Sequence, residues 1–497
     1  MARYIMGIDE GTSLVKVLIF DQSAKVISNA AVEIRSFYPR PGWVEQDPDE
    51  ILSSTLKAAG EALKNGRILP EEIEAIGITN QLLTTIFWNK HTGEAIGRAI
   101  VWQDDRTLSI CEELAAKDKA GIEERSGSHI FPNCSATKIK WLMENDRAIQ
   151  KGLGRGDLLY GTVDTWLIWK LSGGQAHVTD LSNACLTLLL NTHSMDYDEW
   201  MIGELGIPLE ILPKIHSSSE IYAYTKPENF LGVRLPISGD AGDQFTAVFG
   251  QACFQKGDML CNMGTGASIG LNMGDQYLKP VSGMDSPILW AIDGQVTRGM
   301  GGWTNISGAA IQWMRDELGI IHDYTEAEVY AAHVPDTHGT FFVPAFAGLG
   351  SPYQDPYARG TFFGITQSTT KNHLVRAALE AIAYQVRDCF EEIQKASEKK
   401  VMQLHVGGGV TSNAFLMQFL ADILGISVIR PVVSESSVLG AAFLAGLATG
   451  YWESLDELKS LVKVDRQFEP GFSTDHRDAL YRTWLKAIDR SRGWLKD

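Results

Sequence analysis

The sequence predicts an α/β protein built as two domains that meet at a cleft. Three observations carry that prediction. The 497 residues, 44% of them hydrophobic, are more than one core usually organises. A strand, a polar turn holding Gly and Thr, and a second strand occur at Tyr4 to Phe20 and again at Met259 to Leu271, about half a chain apart. Between and after these units, short apolar runs of strand length stand beside stretches with helical spacing.

The elements follow in order. Tyr4 to Ile8 reads as a buried strand, Asp9-Glu10-Gly11-Thr12-Ser13 as a turn, and Val15 to Phe20 as a returning strand. Asp21-Gln22-Ser23 turns the chain again before Lys25-Val26-Ile27, so the start is an antiparallel meander; a dinucleotide-binding domain would place a helix after its first turn. Asp47-Pro48 starts a helix whose apolar face is Leu52, Leu56, Ala59 and Leu63, and Asn65-Gly66 stops it. Ile73 to Ile78 is a further buried strand. In the second half, Met259 to Met263 runs through Gly264-Thr265-Gly266 into Ile269 to Leu271. Gln403 to Val406 is a strand that meets Gly407-Gly408-Gly409, and Asn413 opens a helix closed by Gly425. No linker separates the halves; the polar stretch Gly239 to Gln244 marks the boundary, giving domains 1–247 and 248–497.

Composition excludes several classes. With 61 acidic against 44 basic residues and a formal charge of −17, the chain lacks the basic footprint of nucleic-acid binding. The longest small-and-apolar stretch, Gly440 to Trp452, is short and glycine-rich for a membrane span, and Met1 to Gly7 has no signal-peptide pattern. Six dispersed cysteines without a CxxC pair point to a reducing, cytoplasmic compartment. There is no Gly-Lys dipeptide, hence no Walker P-loop, and no HExxH metal motif.

Three glycine turns, each after a strand, remain as candidate phosphate cradles: Asp9 to Ser13, Gly264 to Gly266 and Gly407 to Gly409. Any one of them is ordinarily only a turn. Asp9, at a strand end beside Gly11-Thr12, is placed to hold water around Mg²⁺ near phosphates, or is a turn former. Lys16 either neutralises phosphate or forms a structural salt bridge. Asp243 is the candidate general base for a hydroxyl attacking a γ-phosphate; its alternative is another Asx turn.

With these residues in hand, the chain resembles the FGGY family of carbohydrate kinases, and within it the glycerol kinase branch. The resemblance spans nearly the full length and rests on Gly7 to Ser13, Gly42 to Pro48, Gly77 to Gln81, Ala99 to Asp104, Ile237 to Gln244, Gly264 to Gly266, Asp355 to Gly360 and Leu416 to Gly425. It implies two actin-like domains of the ribonuclease H and hexokinase type. The cleft between them holds ATP and Mg²⁺ on one side and a polyol or sugar on the other. It implies Asp243 as catalytic base and metal-site partner of Asp9, with Gln244 on the substrate. Thr12, Ser13 and Lys16 match the first phosphate hairpin, Thr265 and Gly266 the second, and Gly308, Gln312, Gly409 and Asn413 the adenosine wall. A homodimer or homotetramer is also implied.

The departures fall in the acceptor pocket. After Thr79-Asn80-Gln81, glycerol kinases carry an Arg-Glu pair that grips hydroxyls; here Leu82 and Leu83 stand there. Asn133 and Ser268 replace two aromatic residues, while Trp102, Asp243 and Gln244 remain. Loss of a hydroxyl clamp alters preference strongly, and two smaller polar residues predict an acceptor longer than glycerol, of four to six carbons. Gly407 replaces an Asp usual before the third glycine turn. Two other readings stay open: a glycerol kinase with a rebuilt pocket, and a non-catalytic nucleotide or sugar sensor. For an acidic chain, anion binding must come from local N–H groups, Lys16 and Mg²⁺, and a neutral acceptor is expected.

Overall fold

The first apolar run forms β1 (Tyr4–Glu10), and the turn at Gly11 to Ser13 returns the chain as β2 (Leu14–Phe20), which sets Asp9 directly opposite Lys16. A third antiparallel strand, β3 (Val26–Glu33), completes the meander. Helix α1 (Pro48–Gly66) follows, its N-terminus capped by the Asp47 carboxylate, which accepts from the Asp49 N–H. Strands β4 (Ile73–Asn80), β5 (Ser219–Tyr224) and β6 (Pro236–Gly242) join the same sheet, in the order β5-β6-β4-β1-β2-β3. These are features of a computed structural model, which describes residues 3–281, 283–397 and 400–496.

The second half builds a second sheet on the same plan. Strand β6 runs without a loop into α2 (Asp243–Gly250), after which come β7 (Met259–Met263), β8 (Ala267–Gly274), β9 (Ile288–Ile292) and β10 (Gln295–Thr304). Helix α3 (Gly308–Asp316) follows, then β11 (Gln403–Gly407), α4 (Ala414–Leu424), β12 (Ser427–Pro431), α5 (Ser436–Thr449) and β13 (Val464–Phe468). The sheet order is β9-β10-β8-β7-β11-β12-β13. From β1, two antiparallel steps lead one way, and two parallel steps then one antiparallel step lead the other. From β7 the same sequence of steps leads to β8 and β10, and to β11, β12 and β13; β9 is the addition. The repeated Gly-Thr turns therefore mark a repeated sheet.

The halves interlock through two helices. Gly7, Gly77 and Gly239 are cross-strand neighbours on β1, β4 and β6, and they leave a flat strip on which α5, from the second half, lies directly. A Cβ on Gly77 would stand 2.0 Å from the Ala441 carbonyl oxygen, and one on Gly7 2.6 Å from that of Val438. Helix α5 also packs on α2, where a Cβ on Gly440 would meet the Thr246 oxygen at 1.9 Å. The glycine-rich stretch that resembles a short membrane segment is thus an interface helix, and among the described residues no helix is long and apolar enough to cross a membrane. The boundary expected at 247/248 falls inside α2, which bridges the sheets.

Candidate active site at the seam

Asp243 is the first residue of α2, placed there because β6 ends at Gly242 and turns straight into the helix. Its Oδ1 accepts from the Gln244 N–H at 2.7 Å, and its carbonyl accepts from Ser437 Oγ of α5 at 3.0 Å. Protein surrounds the carboxyl and pushes it up to about 7, against the pull of the backbone N–H groups. Asp9, at the end of β1, is raised to about 7 by burial and then by the negative charge of Asp243, with Lys16 acting the other way. Lys16 Nζ lies 2.6 Å from Glu435 Oε2, just before α5. The structure therefore gathers Asp9, Lys16, Asp243 and Glu435 at one point of the seam, and Lys16 does form the ion pair that was one of its two readings. Glu435 was not singled out in the sequence; no turn or spacing distinguishes it.

Beside this point runs a buried chain of hydrogen bonds. Gln81 Nε2 donates to Glu10 Oε1 at 3.2 Å and to Gln46 Oε1 at 2.8 Å, while Thr84 Oγ1 donates to Gln81 Oε1. Gln46 Nε2 donates to the Thr12 carbonyl, and the Trp102 indole N–H donates to Thr12 Oγ1 at 2.9 Å. Gln81, Trp102 and Thr12 are thus held together, with Thr12 already accepting from the indole. Burial pushes the Glu10 carboxyl well above the usual range, and its second oxygen has no partner. Glu10 and Gln46 are additions to the sequence-based set.

Leu82 and Leu83 are both buried, in one apolar cluster with Ala241 and Phe245. Leu82 lies against the Gly242 backbone, where a Cβ would meet its Cδ2 at 2.3 Å, one residue before Asp243. Leu83 takes a left-handed φ of 69°, and its carbonyl accepts from Ser135 Oγ at 3.1 Å and from Lys138 Nζ at 3.2 Å. Burial lowers the Lys138 ammonium to about 7. Asn133, half-buried, stands just before that Ser135 helix. Ser268 lies on β8 opposite Trp303 of β10. It sits in a Gly266-Ala267-Ser268-Ile269-Gly270 string, the pattern of a hydrolase nucleophile, yet within a regular antiparallel strand instead of a strand-to-helix elbow. Gln244 is half-buried in the first turn of α2.

On the other side, the Gly264 to Gly266 hairpin is docked on the start of α3. The N–H groups of Ser307 and Ala309 donate to the Thr265 carbonyl, and that of Gly308 to Gly264. A Cβ on Gly308 would meet the Gly264 oxygen at 2.8 Å and Val410 at 2.9 Å, so this glycine lets hairpin, helix and the third glycine turn converge. Thr265 and Gly409 are exposed, as are Ser13 of the first hairpin and Gln312 of α3. Asn413 Oδ1 accepts from the Leu416 N–H and caps α4, a structural duty beside any ligand role. A Cβ on Gly407 would meet Ser436 Oγ at 2.4 Å and Asn262 Oδ1 at 3.1 Å, which explains the missing Asp.

A repeated sheet, a glycine hairpin in each half and a buried carboxyl at the start of a helix that bridges the sheets define an actin-like α/β fold. The chain matches the FGGY family of carbohydrate kinases, N-terminal domain, over residues 4–250 and its C-terminal domain over residues 259–449. It is 49% identical over 495 residues to glycerol kinase 2 of Thermotoga maritima, covering 99% of this chain and 100% of that one. It is 47% identical over 499 residues to glycerol kinase of Caldanaerobacter subterraneus subsp. tengcongensis, with 100% of each chain covered. The structure superposes on Plasmodium falciparum glycerol kinase with ADP at TM-score 0.89 and 31% identity, covering 99% of this chain and 98% of that one. The chain belongs to the FGGY family and is an ATP-dependent carbohydrate kinase that phosphorylates an alcohol group.

Proposed function

We propose that this kinase transfers the γ-phosphoryl group of ATP to a primary hydroxyl of a short linear polyol, glycerol included. Asp243 is the base: it takes the hydroxyl proton as the oxygen bonds to the γ-phosphorus, the bridging P–O bond breaks and ADP leaves. The observation that carries this reading is the placement of Asp243, a carboxyl raised to about 7 at the seam where Asp9 and Lys16 also converge. A base of that strength holds the proton well and is still half ionised at neutrality. Leu82 and Trp102 wall the acceptor, with Leu83, Asn133, Gln244, Gln81 and Ser268 around it. Ser13, Lys16, Thr265 and Gly266 face the phosphates, and Gly308, Gln312, Gly409 and Asn413 frame the adenosine. The names of the relatives, glycerol kinases at 47–49% identity, favour a small acceptor.

The seam suits Mg²⁺. Among the described residues no three His, Cys, Asp or Glu side chains converge to hold a metal alone, while the facing carboxyls of Asp9 and Asp243 fit a cation that keeps waters and takes its other ligands from phosphates. Such an ion supplies charge neutralisation on the phosphates. We assign the reaction to the cytoplasm, supported by six cysteines that are all free and buried.

A coupled ADP-release assay over glycerol, erythritol, threitol, ribitol, xylulose and ribulose tests the function. The proposal expects turnover highest with glycerol or a four-carbon polyol. Binding of nucleotide and polyol with no ADP release would establish the sensor instead.

A further inference from the structure

Ser268 and Asn133, read alone, open the acceptor pocket, but a residue from the neighbouring strand stands in that space. Along β8, Ala267, Ile269 and Leu271 enter the core of the second sheet, so Ser268 and Gly270 face the opposite way, toward α2. A Cβ on Gly270 would stand 3.7 Å from Val248 of α2, and Asn272 Nδ2 donates to the Cys253 carbonyl, just past that helix, at 2.9 Å. Strand β8 and helix α2 therefore run in the same direction, and Ser268 falls at the Asp243 end. Trp303 is the direct cross-strand partner of Ser268, so its indole rises from the same face.

Trp303 is anchored at its backbone, and its indole is met by an aromatic ring from the other half. The Trp303 carbonyl accepts from the Ser351 N–H at 2.8 Å, and the Trp303 N–H donates to Ser351 Oγ at 3.2 Å. Across the seam, Phe131 meets the indole edge-on, with centroids 5.7 Å apart and planes at 88°. The Phe131 segment is pinned in turn, because the His129 N–H and ring Nδ1 both lie 2.9 Å from Asp285 Oδ1. Phe131 also stands two residues before Asn133, on the acceptor side.

We propose that Trp303, braced by Phe131, sets the length limit of the acceptor pocket: its indole fills the space above Ser268 opposite Asp243, admitting polyols of three or four carbons and rejecting longer ones. This rests on the kinase reading above and assigns the residue that decides acceptor size, which the positions changed in the sequence would place elsewhere. One methylene in a closed pocket is worth about 10- to 200-fold in discrimination, so the effect is measurable.

The test compares kcat/KM for glycerol and ribitol in the wild type, Trp303→Ala, Trp303→Phe and Phe131→Ala, with KM for ATP as control. The expected result is a ribitol-to-glycerol ratio raised by about tenfold or more in Trp303→Ala, raised less in Phe131→Ala, and little changed in Trp303→Phe. KM for ATP stays level in all three. If Trp303→Ala does not fold, Phe131→Ala alone must raise the ratio. An unchanged ratio in folded, active variants, or a wild type that prefers ribitol, overturns the assignment and leaves the kinase reading standing. A wild type that turns over no polyol removes both.

Discussion

Lys16 Nζ and Glu435 Oε2 are 2.6 Å apart, so the cation of the first hairpin is tied to the residue that precedes α5. Both side chains are about one third exposed, at 34% and 33%, which places the pair among those worth about 1 kcal/mol or less. In the proposed reaction, nucleotide phosphates would share Lys16 with Glu435. Glu435→Gln should therefore lower KM for ATP by roughly two- to fivefold, most clearly at low salt, while Lys16→Met raises it. Unchanged KM for ATP in steady-state kinetics of Glu435→Gln would show that the pair does not compete with phosphate.

The pH dependence follows from Asp243. With its carboxyl raised from 3.8 to about 7, the base form is minor in acid, so kcat/KM should climb with pH through about 7 and level above it. An acid limb near 4 would contradict the raised carboxyl. Stability has the opposite slope. A carboxyl whose folded pKa lies above its unfolded one holds its proton in the folded state, so its stabilising contribution is complete below about 3.8 and is lost as pH rises through about 7. Asp243→Asn should consequently melt higher than the wild type at pH 8, by less at pH 5, with the gap closing toward pH 3.8, as measured by thermal unfolding without ligands.

The glycine strip under α5 admits no side chain. A Cβ on Gly77 would sit 2.0 Å from the Ala441 oxygen, and backbone cannot rotate away. Gly77→Ala should destabilise by about 1–3 kcal/mol, visible as a lower denaturant midpoint, whereas Gly156→Ala, at a helix end with nothing within 4 Å of the built Cβ, pays mainly for its φ of 68°. Equal losses at the two sites would refute the close packing.

Leu82 tests whether the missing clamp can be put back. Its side chain is 5% exposed and pressed against Gly242. Leu82→Arg would bury a guanidinium among apolar neighbours and should reduce both the melting temperature and glycerol turnover, while Leu82→Met keeps both nearly intact. A gain in kcat/KM for glycerol from Leu82→Arg would show that the pocket still has room for the lost clamp.

Much of this site is legible along the chain. The Gly-Thr turns, Asp9, Lys16 and Asp243 stand at strand ends, where local pattern and chemistry coincide, and the repeated hairpin anticipates the repeated sheet. What the chain does not display is register and contact between distant elements. Trp303 matters because it lies opposite Ser268, 35 positions away, and Glu435 because α5 crosses onto the first sheet. Glu10 looks like a turn residue, yet its partner Gln81, and Gln46 bonded to Gln81, come from two other segments. The 247/248 boundary lands inside α2 because a helix shared by two sheets has no composition break at its middle. Asn413 reads as a ligand residue and is a helix cap as well, a duty any Asn before a helix can take.

Everything proposed for this kinase turns on Asp243 taking the acceptor proton. Single-turnover and steady-state ADP release by Asp243→Asn, with nucleotide affinity measured alongside, tests it most directly. Loss of the base should lower kcat by about 10² to 10⁴ with nucleotide binding retained. Near-normal turnover by Asp243→Asn on the best acceptor would contradict it.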